Sequence, residues 1–325
     1  MVTELDRKVS IVMCTYNGAA FLKEQLETIV NQTYPIHEII IQDDDSTDGT
    51  WDILQTYAQQ YPSIKLFHNE IRKGVNHNFL SAIRLAARRG GQFIAISDQD
   101  DIWELNKIER QIKEIGNALL CYHYSKHFSE DGVPIDFNPR MPNYTLMRMI
   151  YFNEIPGHTM LIRRELLDYI VDERCFLYDA LLAIAAGVQN KIVFIPEILV
   201  HQRRYSNAIS YRPPISTERN IKTMTLYIIE AAKNLIHNKQ SMKSHFNTMF
   251  SLLSKYEQLE HKATCFKEAL LLCDLYRNYS VLSVMQASLI CARNKRHIFY
   301  TGQGNGFLLF IRAVFHPVLM FRYYK

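Results

Sequence analysis

The chain has 325 residues, 48% of them hydrophobic, with 37 Lys and Arg against 33 Asp and Glu. That is enough apolar content for one large domain plus an appendage, and a net charge of only +4 argues against a dedicated nucleic-acid binder. The charge is unevenly spread: from Leu275 to Lys325 there is no Asp or Glu, but seven basic residues (Arg277, Arg293, Lys295, Arg296, Arg312, Arg322, Lys325), so this end suits an anionic surface.

Along the chain, Val9 to Cys14 is a short apolar run ending in Thr15-Tyr-Asn-Gly18, and Phe21, Leu22, Leu26, Ile29 and Val30 then fall on one helical face. Glu38 to Gln42 reads as a second strand. It runs into Asp43-Asp-Asp-Ser-Thr-Asp-Gly-Thr50, where Ser46, Thr47 or Asp48 can cap a helix over 51–60. Ile64 to His68 is a third strand and Val75 to Arg89 a third helix. The apolar run Phe93 to Ile96 follows, ending in Asp98, Asp100 and Asp101. Carboxylates so close together raise one another's pKa and call for a shared cation, Mg2+ or Mn2+. The competing reading is a solvated acidic turn with an Asp capping the next helix. Strands alternating with helices predict a mainly parallel sheet with ligands at its carboxyl ends. No GxGxxG follows the first strand and no GxxxxGK[ST] occurs, which weighs against a dinucleotide dehydrogenase and a P-loop NTPase.

The six cysteines are scattered, without CxxC or zinc spacing, and read as reduced thiols of a cytoplasmic protein. The polar start Thr3 to Lys8 gives no expectation of a signal peptide, and no apolar run reaches the roughly 18 residues of a membrane span. A soluble or peripheral protein, at the inner face of the cytoplasmic membrane, is expected.

Three stretches, Val9-Ser-Ile-Val-Met-Cys-Thr-Tyr-Asn-Gly18, Gln42-Asp-Asp-Asp-Ser-Thr-Asp-Gly-Thr50 and Ser97-Asp-Gln-Asp-Asp-Ile-Trp103, resemble the opening motifs of family 2 glycosyltransferases of the GT-A fold. The last, followed by Lys107, is most similar to the rhamnosyltransferase-like branch of bacterial surface polysaccharide synthesis. The resemblance covers roughly Val9 to Ser210. It implies a Rossmann-like, nucleotide-sugar-binding α/β domain over 1–212. It further implies that Asp43 accepts from the N3–H of uracil or thymine, and that Thr15 and Tyr16 pack on the nucleoside with Asn17 and Asp45 beside them. Asp98 would face the ribose, and Asp100, with Asp98, would carry Mn2+ or Mg2+ on the diphosphate. Pro156-Gly-His-Thr-Met160 resembles the Gly-x-Thr-Met element lining the donor sugar, which assigns Gly157 and His158 to the donor, Gly157 by letting backbone approach it. Asp179, in Phe176-Leu-Tyr-Asp-Ala-Leu-Leu182, takes the place of the catalytic base; its alternative is a carboxylate offsetting a helix dipole.

Two departures stand out. Ala180 and Leu181 replace the usual aromatic pair, and the usual Tyr-Arg-Gln-His-x-x-Asn is here His201-Gln-Arg-Arg-Tyr-Ser-Asn207. Arg204 then stands where the His would be and can touch phosphate without ligating a metal; otherwise His201 ligates from a shifted register.

Beyond the break at Tyr211-Arg-Pro-Pro214, residues 213–325 read as a helical extension with patterns at Ile221–Ile236, His245–Leu259, Thr264–Tyr279 and Val281–Ala292, packed as a bundle. The piece Gly306 to Lys325 interleaves apolar and basic residues, suiting either an anionic membrane interface or an internal dock. The expected function is inverting transfer from dTDP-rhamnose or a UDP-hexose to a growing glycan or lipid-linked saccharide. The rivals are a non-catalytic sugar-nucleotide binder or scaffold and a nucleotidyltransferase, whose Gly-rich loop and basic residue are missing from Asn17-Gly-Ala-Ala20.

Overall fold

The computed structural model describes residues 7–135, 137, 141–170, 176–204, 239–299 and 306–319. They fall into two compact units. The first holds the described residues before 140 with 155–186 and 191–204; the second holds 141–154, 187–190 and the described residues after 238.

The first unit runs β1 (Val9–Thr15), α1 (Leu22–Val30), β2 (Ile36–Asp43), α2 (Thr50–Gln60), β3 (Ile64–His68), α3 (Val75–Arg88), β4 (Phe93–Ser97), β5 (Ile102–Trp103), α4 (Lys107–Glu114), β6 (Leu120–Ser129), β7 (Leu161–Arg163), α5 (Tyr178–Val188), whose last two residues fall in the second unit, and β8 (Ile192–Arg204). One sheet has the order β3-β2-β1-β4-β7-β6-β8-β5. Strands β3, β2, β1 and β4 are parallel, and every residue of β1 and β4 is buried, as continuous apolar strands covered on both faces must be. Because β2 and β3 lie to one side of β1 and β4 to the other, the strand order reverses between β1 and β4. A crevice opens at the carboxyl ends there.

The other half of the sheet is mixed: β7 is antiparallel to β4 and β6, β6 and β8 are parallel, and β5 is antiparallel to β8. Strands β6 and β8 carry little periodic signal. Opposite the step from His123 to Tyr124, the partner in β8 jumps from Ile195 to Ile198, so Pro196, which has no N–H to give, and Glu197 bulge out of the ladder.

The second unit contains α6 (Lys239–Ser254), α7 (Phe266–Arg277), α8 (Val281–Arg293) and α9 (Gly306–Leu319), with short turns at Leu146–Met149 and Lys295–Ile298. Its core includes Met242, Phe246, Met249, Leu272 and Tyr276. Tyr151 joins this core: its ring meets Phe246 and Tyr276 edge-on, and its hydroxyl is 3.0 Å from that of Tyr276. Residues 141–154 therefore belong with the C-terminal helices, although the sequence places them inside a 1–212 domain. The helix expected at Ile221–Ile236 lies outside the described residues. No described helix is long and apolar enough to cross a membrane.

Candidate active site

The parallel register levels the strand ends. Thr15 pairs with Asp43, Asp43 with His68, and Met13 with Ser97, so the loops after β1, β2 and β4 meet. Asp43 is fully buried, and its carboxylate is occupied from within. Oδ1 accepts from the Thr15 hydroxyl (2.7 Å) and the Ser46 hydroxyl (2.6 Å), while Oδ2 accepts from Ser46 N (3.0 Å) and lies 3.2 Å from His68 Nδ1. Asp44 accepts from Asn69 Nδ2, Lys73 N and Gly74 N, each at 2.8 Å, which pins the loop over 69–74. Gly74 has φ +81°, a turn that suits a residue without Cβ. From this loop the Arg72 guanidinium lies 3.7 Å over the Tyr16 ring.

The first two loops are stitched together. Asn17, left-handed at φ +48°, donates from its backbone to Ser46 Oγ (2.9 Å) and accepts from Thr47 N (2.8 Å); Gly18 N donates to Thr50 Oγ1 (2.8 Å). The N-cap of α2 is Gly49, and Asp48 just before it takes the N–H groups of Thr50 (2.9 Å) and Ala19 (3.1 Å). Asp45 is left-handed too, at φ +63°, and half-buried. A residue the sequence did not single out ties in the third loop: Gln99 accepts from Tyr16 N (2.9 Å) and donates to Tyr16 O (3.1 Å).

The carboxylates after β4 differ in surroundings. Asp101 is 1% exposed; Oδ1 accepts from Arg203 N (3.3 Å), and Oδ2 has no hydrogen-bond partner. Burial, reinforced by Asp98 and Asp100, pushes this carboxyl up to about 8, with His158 pulling the other way. His158 Nδ1 is 3.4 Å from Asp98 Oδ2 and 4.0 Å from Asp101 Oδ2. Burial depresses the His158 pKa, but Asp101 and Asp98 outweigh it and the net shift is upward. Lys107 is buried below, its Nζ donating to the His158 carbonyl (3.1 Å) and lying 3.1 Å over the Trp103 ring. Burial drives its pKa well down, opposed by Asp101.

Asp98, Asp101 and His158 each offer one ligand atom, all within 4.8 Å of one another. Two carboxylates, an imidazole and an orphaned Asp101 oxygen fit a divalent cation. The sequence resemblance implies a different set, Asp98, Asp100 and His201. Asp100 lies outside this group among the described residues, and strand pairing sets His201 opposite Ile102, where its Nε2 is 2.8 Å from Glu104 Oε1. The Arg204 guanidinium is 3.2 Å from His127 Nε2 and near enough to Asp101 and Asp98 for both to offset the lowering that burial imposes on it. Asn207 lies outside the described residues. Arg203, another residue missed in the sequence, is buried between the Phe21 and Phe128 rings and donates to Asp100 O at 3.2 Å.

Between β6 and β7, Gly157 opens the turn Gly157–Thr159, and its bare Cα faces a protein group: a Cβ there would collide with the Tyr178 hydroxyl. The close approach expected for a ligand is taken by Tyr178, itself stacked on Phe79 with centroids 4.3 Å apart. Asp179 follows in the first turn of α5, accepting from Ala180 N (2.7 Å). Burial, with Asp98 adding, raises its carboxyl to about 6. That value suits a base at neutral pH. Leu181, in place of an aromatic, is buried in the core.

Known proteins resemble this chain. Residues 10–171 match the model of "Glycosyl transferase family 2". The chain is 34% identical over 157 residues to a UDP-Glc:alpha-D-GlcNAc-diphosphoundecaprenol beta-1,3-glucosyltransferase of Escherichia coli, covering 48% of this chain and 61% of that one. It is 38% identical over 113 residues to a dTDP-rhamnosyl transferase of Shigella flexneri, covering 34% and 39%. A putative teichuronic acid biosynthesis glycosyltransferase of Bacillus subtilis is 29% identical over 130 residues, covering 39% and 50%. The chain thus spans about half the length of the curated relatives it matches. The crystal structure of S. aureus TarS 1-349 with UDP-GlcNAc shares the fold, with a TM-score of 0.57 over 97% of this chain and 89% of that one at 16% identity. With these matches, and three motif loops gathered at the carboxyl ends of β1, β2 and β4, the chain carries a glycosyl transferase family 2 domain of the GT-A type.

Proposed function

We propose that this chain moves a sugar, with inversion, from a UDP- or dTDP-linked donor to a growing surface glycan or lipid-linked saccharide. The observation that carries the reading is Asp179: a carboxylate held at about 6, within electrostatic reach of Asp98, beside the crevice between β1 and β4. Relatives named for UDP-Glc and dTDP-rhamnosyl transfer support the choice of nucleotides. A pyrimidine N3–H would meet the carboxylates after β2. The motif points to Asp43, whose oxygens already take internal donors; Asp44, buried as well, takes the single donor Gly74 N on its Oδ2.

In this mechanism Asp179 removes the acceptor hydroxyl proton as that oxygen attacks the anomeric carbon opposite the leaving phosphate. A single displacement needs no enzyme nucleophile. Asp98, Asp101 and His158 would hold the divalent ion, and the imidazole favours Mn2+ over Mg2+. When bound, such an ion neutralises charge developing on the departing nucleoside diphosphate. Arg204 would contact phosphate oxygens through its guanidinium. Cys14, Cys121, Cys265, Cys273 and Cys291 are free thiols, which suits the cytoplasmic side of the membrane.

Calorimetric titration of UDP, dTDP, GDP and CMP, with and without Mn2+, tests the donor site on wild type and Asp98→Ala. Metal-dependent binding of UDP or dTDP, lost in the variant, is the expected result. Binding of none of the four would overturn the reading. A retained UDP or dTDP affinity in Asp179→Asn with transfer strongly reduced separates an enzyme from a non-catalytic binder.

A further inference from the structure

Helix α8 inverts the usual arrangement of a surface helix. Its buried positions are the small residues Ser283, Ala287, Cys291 and Ala292, whereas its large apolar side chains face outward: Val281 is 81% exposed, Leu282 64%, Met285 61% and Leu289 62%. At about 100° per residue, these four share an arc of roughly 100°, which Arg293 and Gln286 extend. The stripe is continuous and ends on exposed Arg293. The turn Lys295–Ile298 adds exposed Arg296, and Lys295 Nζ lies 5.9 Å from the ring of Phe310, itself 44% exposed. No acidic residue occurs between Leu275 and Lys325 to oppose this charge.

We propose that the outward face of α8, with Arg293, Lys295, Arg296 and Phe310, docks on an anionic lipid surface with the helix lying along it. Water gives those four apolar side chains no compensation. A bilayer interface accepts the apolar stripe while lipid phosphates meet the basic end. A second copy of the chain fits less well. It would bring like charges together, and four partly exposed side chains offer roughly 400 Å² per copy against the ~800 Å² per partner of a stable interface. The surface lies on a different set of residues from the Gly306 to Lys325 piece singled out in the sequence, whose last six residues are not among those described. Docking requires neither donor nor metal nor Asp179, so it and the transferase reading can fail independently.

Sedimentation of the full chain with vesicles tests it. Binding is expected to vesicles of phosphatidylcholine mixed with phosphatidylglycerol, weakening as salt is raised. The pair Leu282→Ser with Leu289→Ser should lower that partitioning by about tenfold or more. Arg293→Ala with Arg296→Ala should lower it about 25-fold on the anionic vesicles and hardly at all on pure phosphatidylcholine. Circular dichroism verifies that both variants remain folded; the changed side chains are exposed. Absence of binding to either vesicle, or binding untouched by both pairs, overturns the proposal. So does a self-association in sedimentation velocity that the leucine pair abolishes, since that result assigns the stripe to a second copy.

Discussion

The loops after β2 and after β4 both carry clustered carboxylates at the ends of buried parallel strands, yet they have opposite hydrogen-bond balances. After β2, the oxygens of Asp43 and Asp44 take six hydrogen bonds between them, from Thr15, Ser46, Asn69, Lys73 and Gly74, with His68 Nδ1 a further 3.2 Å from Asp43. After β4, Asp101 keeps an oxygen with no hydrogen-bond partner, and Asp98 has His158 at 3.4 Å. The first cluster is satisfied by the fold and braces it. The second is left short, and a buried carboxylate without a partner is costly unless something outside the chain completes it. Acidic motifs that look alike in sequence thus differ in whether the fold supplies their donors.

That division predicts different failures. Asp98→Ala should reduce transfer by about four orders of magnitude while leaving the melting temperature unchanged or raised; a melting point many degrees lower would make the second cluster structural and erase the contrast. Asp179→Asn should cost about 10³-fold in kcat. Its carboxyl is raised to about 6 from 3.8, so kcat/KM should fall about tenfold per unit as pH drops below roughly 6, where the base is protonated. The folded chain holds that proton more tightly than the unfolded one. Stability is therefore lost as pH rises from about 4 to 6, and the Asn variant should be more stable at neutral pH by on the order of 2 kcal/mol in chemical denaturation. A flat pH profile through 5 to 7 would remove Asp179 as the base.

The first cluster should respond in stability first. Asp44→Ala strands two backbone N–H groups and the Asn69 amide, with an expected loss of ~3 kcal/mol in urea unfolding; protein that stays as stable as wild type would show that the loop over 69–74 does not depend on this carboxylate. The smallest effect expected is for Gly157→Ala, about 1–3 kcal/mol from overpacking against Tyr178, read as a shift in denaturation midpoint with unchanged slope.

The parts of this architecture visible in sequence were those with local causes. Val9 to Cys14 and Phe93 to Ile96 are apolar without a break, so their strands, and the polar residues just beyond them, could be placed from composition alone. Strand β8 could not, because Pro196-Glu197 interrupts its pattern and its pairing depends on the bulge. The choice of metal ligands turns on a related point. In Asp98-Gln-Asp-Asp101, spacing does not say which carboxylate turns inward; that is settled by His158, delivered by a turn between β6 and β7, and by β5 pairing, which carries His201 away to Glu104. The exposed stripe of α8 was read as bundle core, since helical periodicity gives a face but not what lies against it.

Gln99 and Gly18 are coupled in a way that bears on how such chains diverge. The Gln99 carboxamide mimics a strand partner to Tyr16 and fills the volume in which a side chain at position 18 would sit. Neither position is free to drift alone: an alanine at 18 evicts the amide, and a shorter residue at 99 unties the first loop from the third. Lineages altering this corner should change both together, and libraries aimed at donor preference should vary the two positions as a pair.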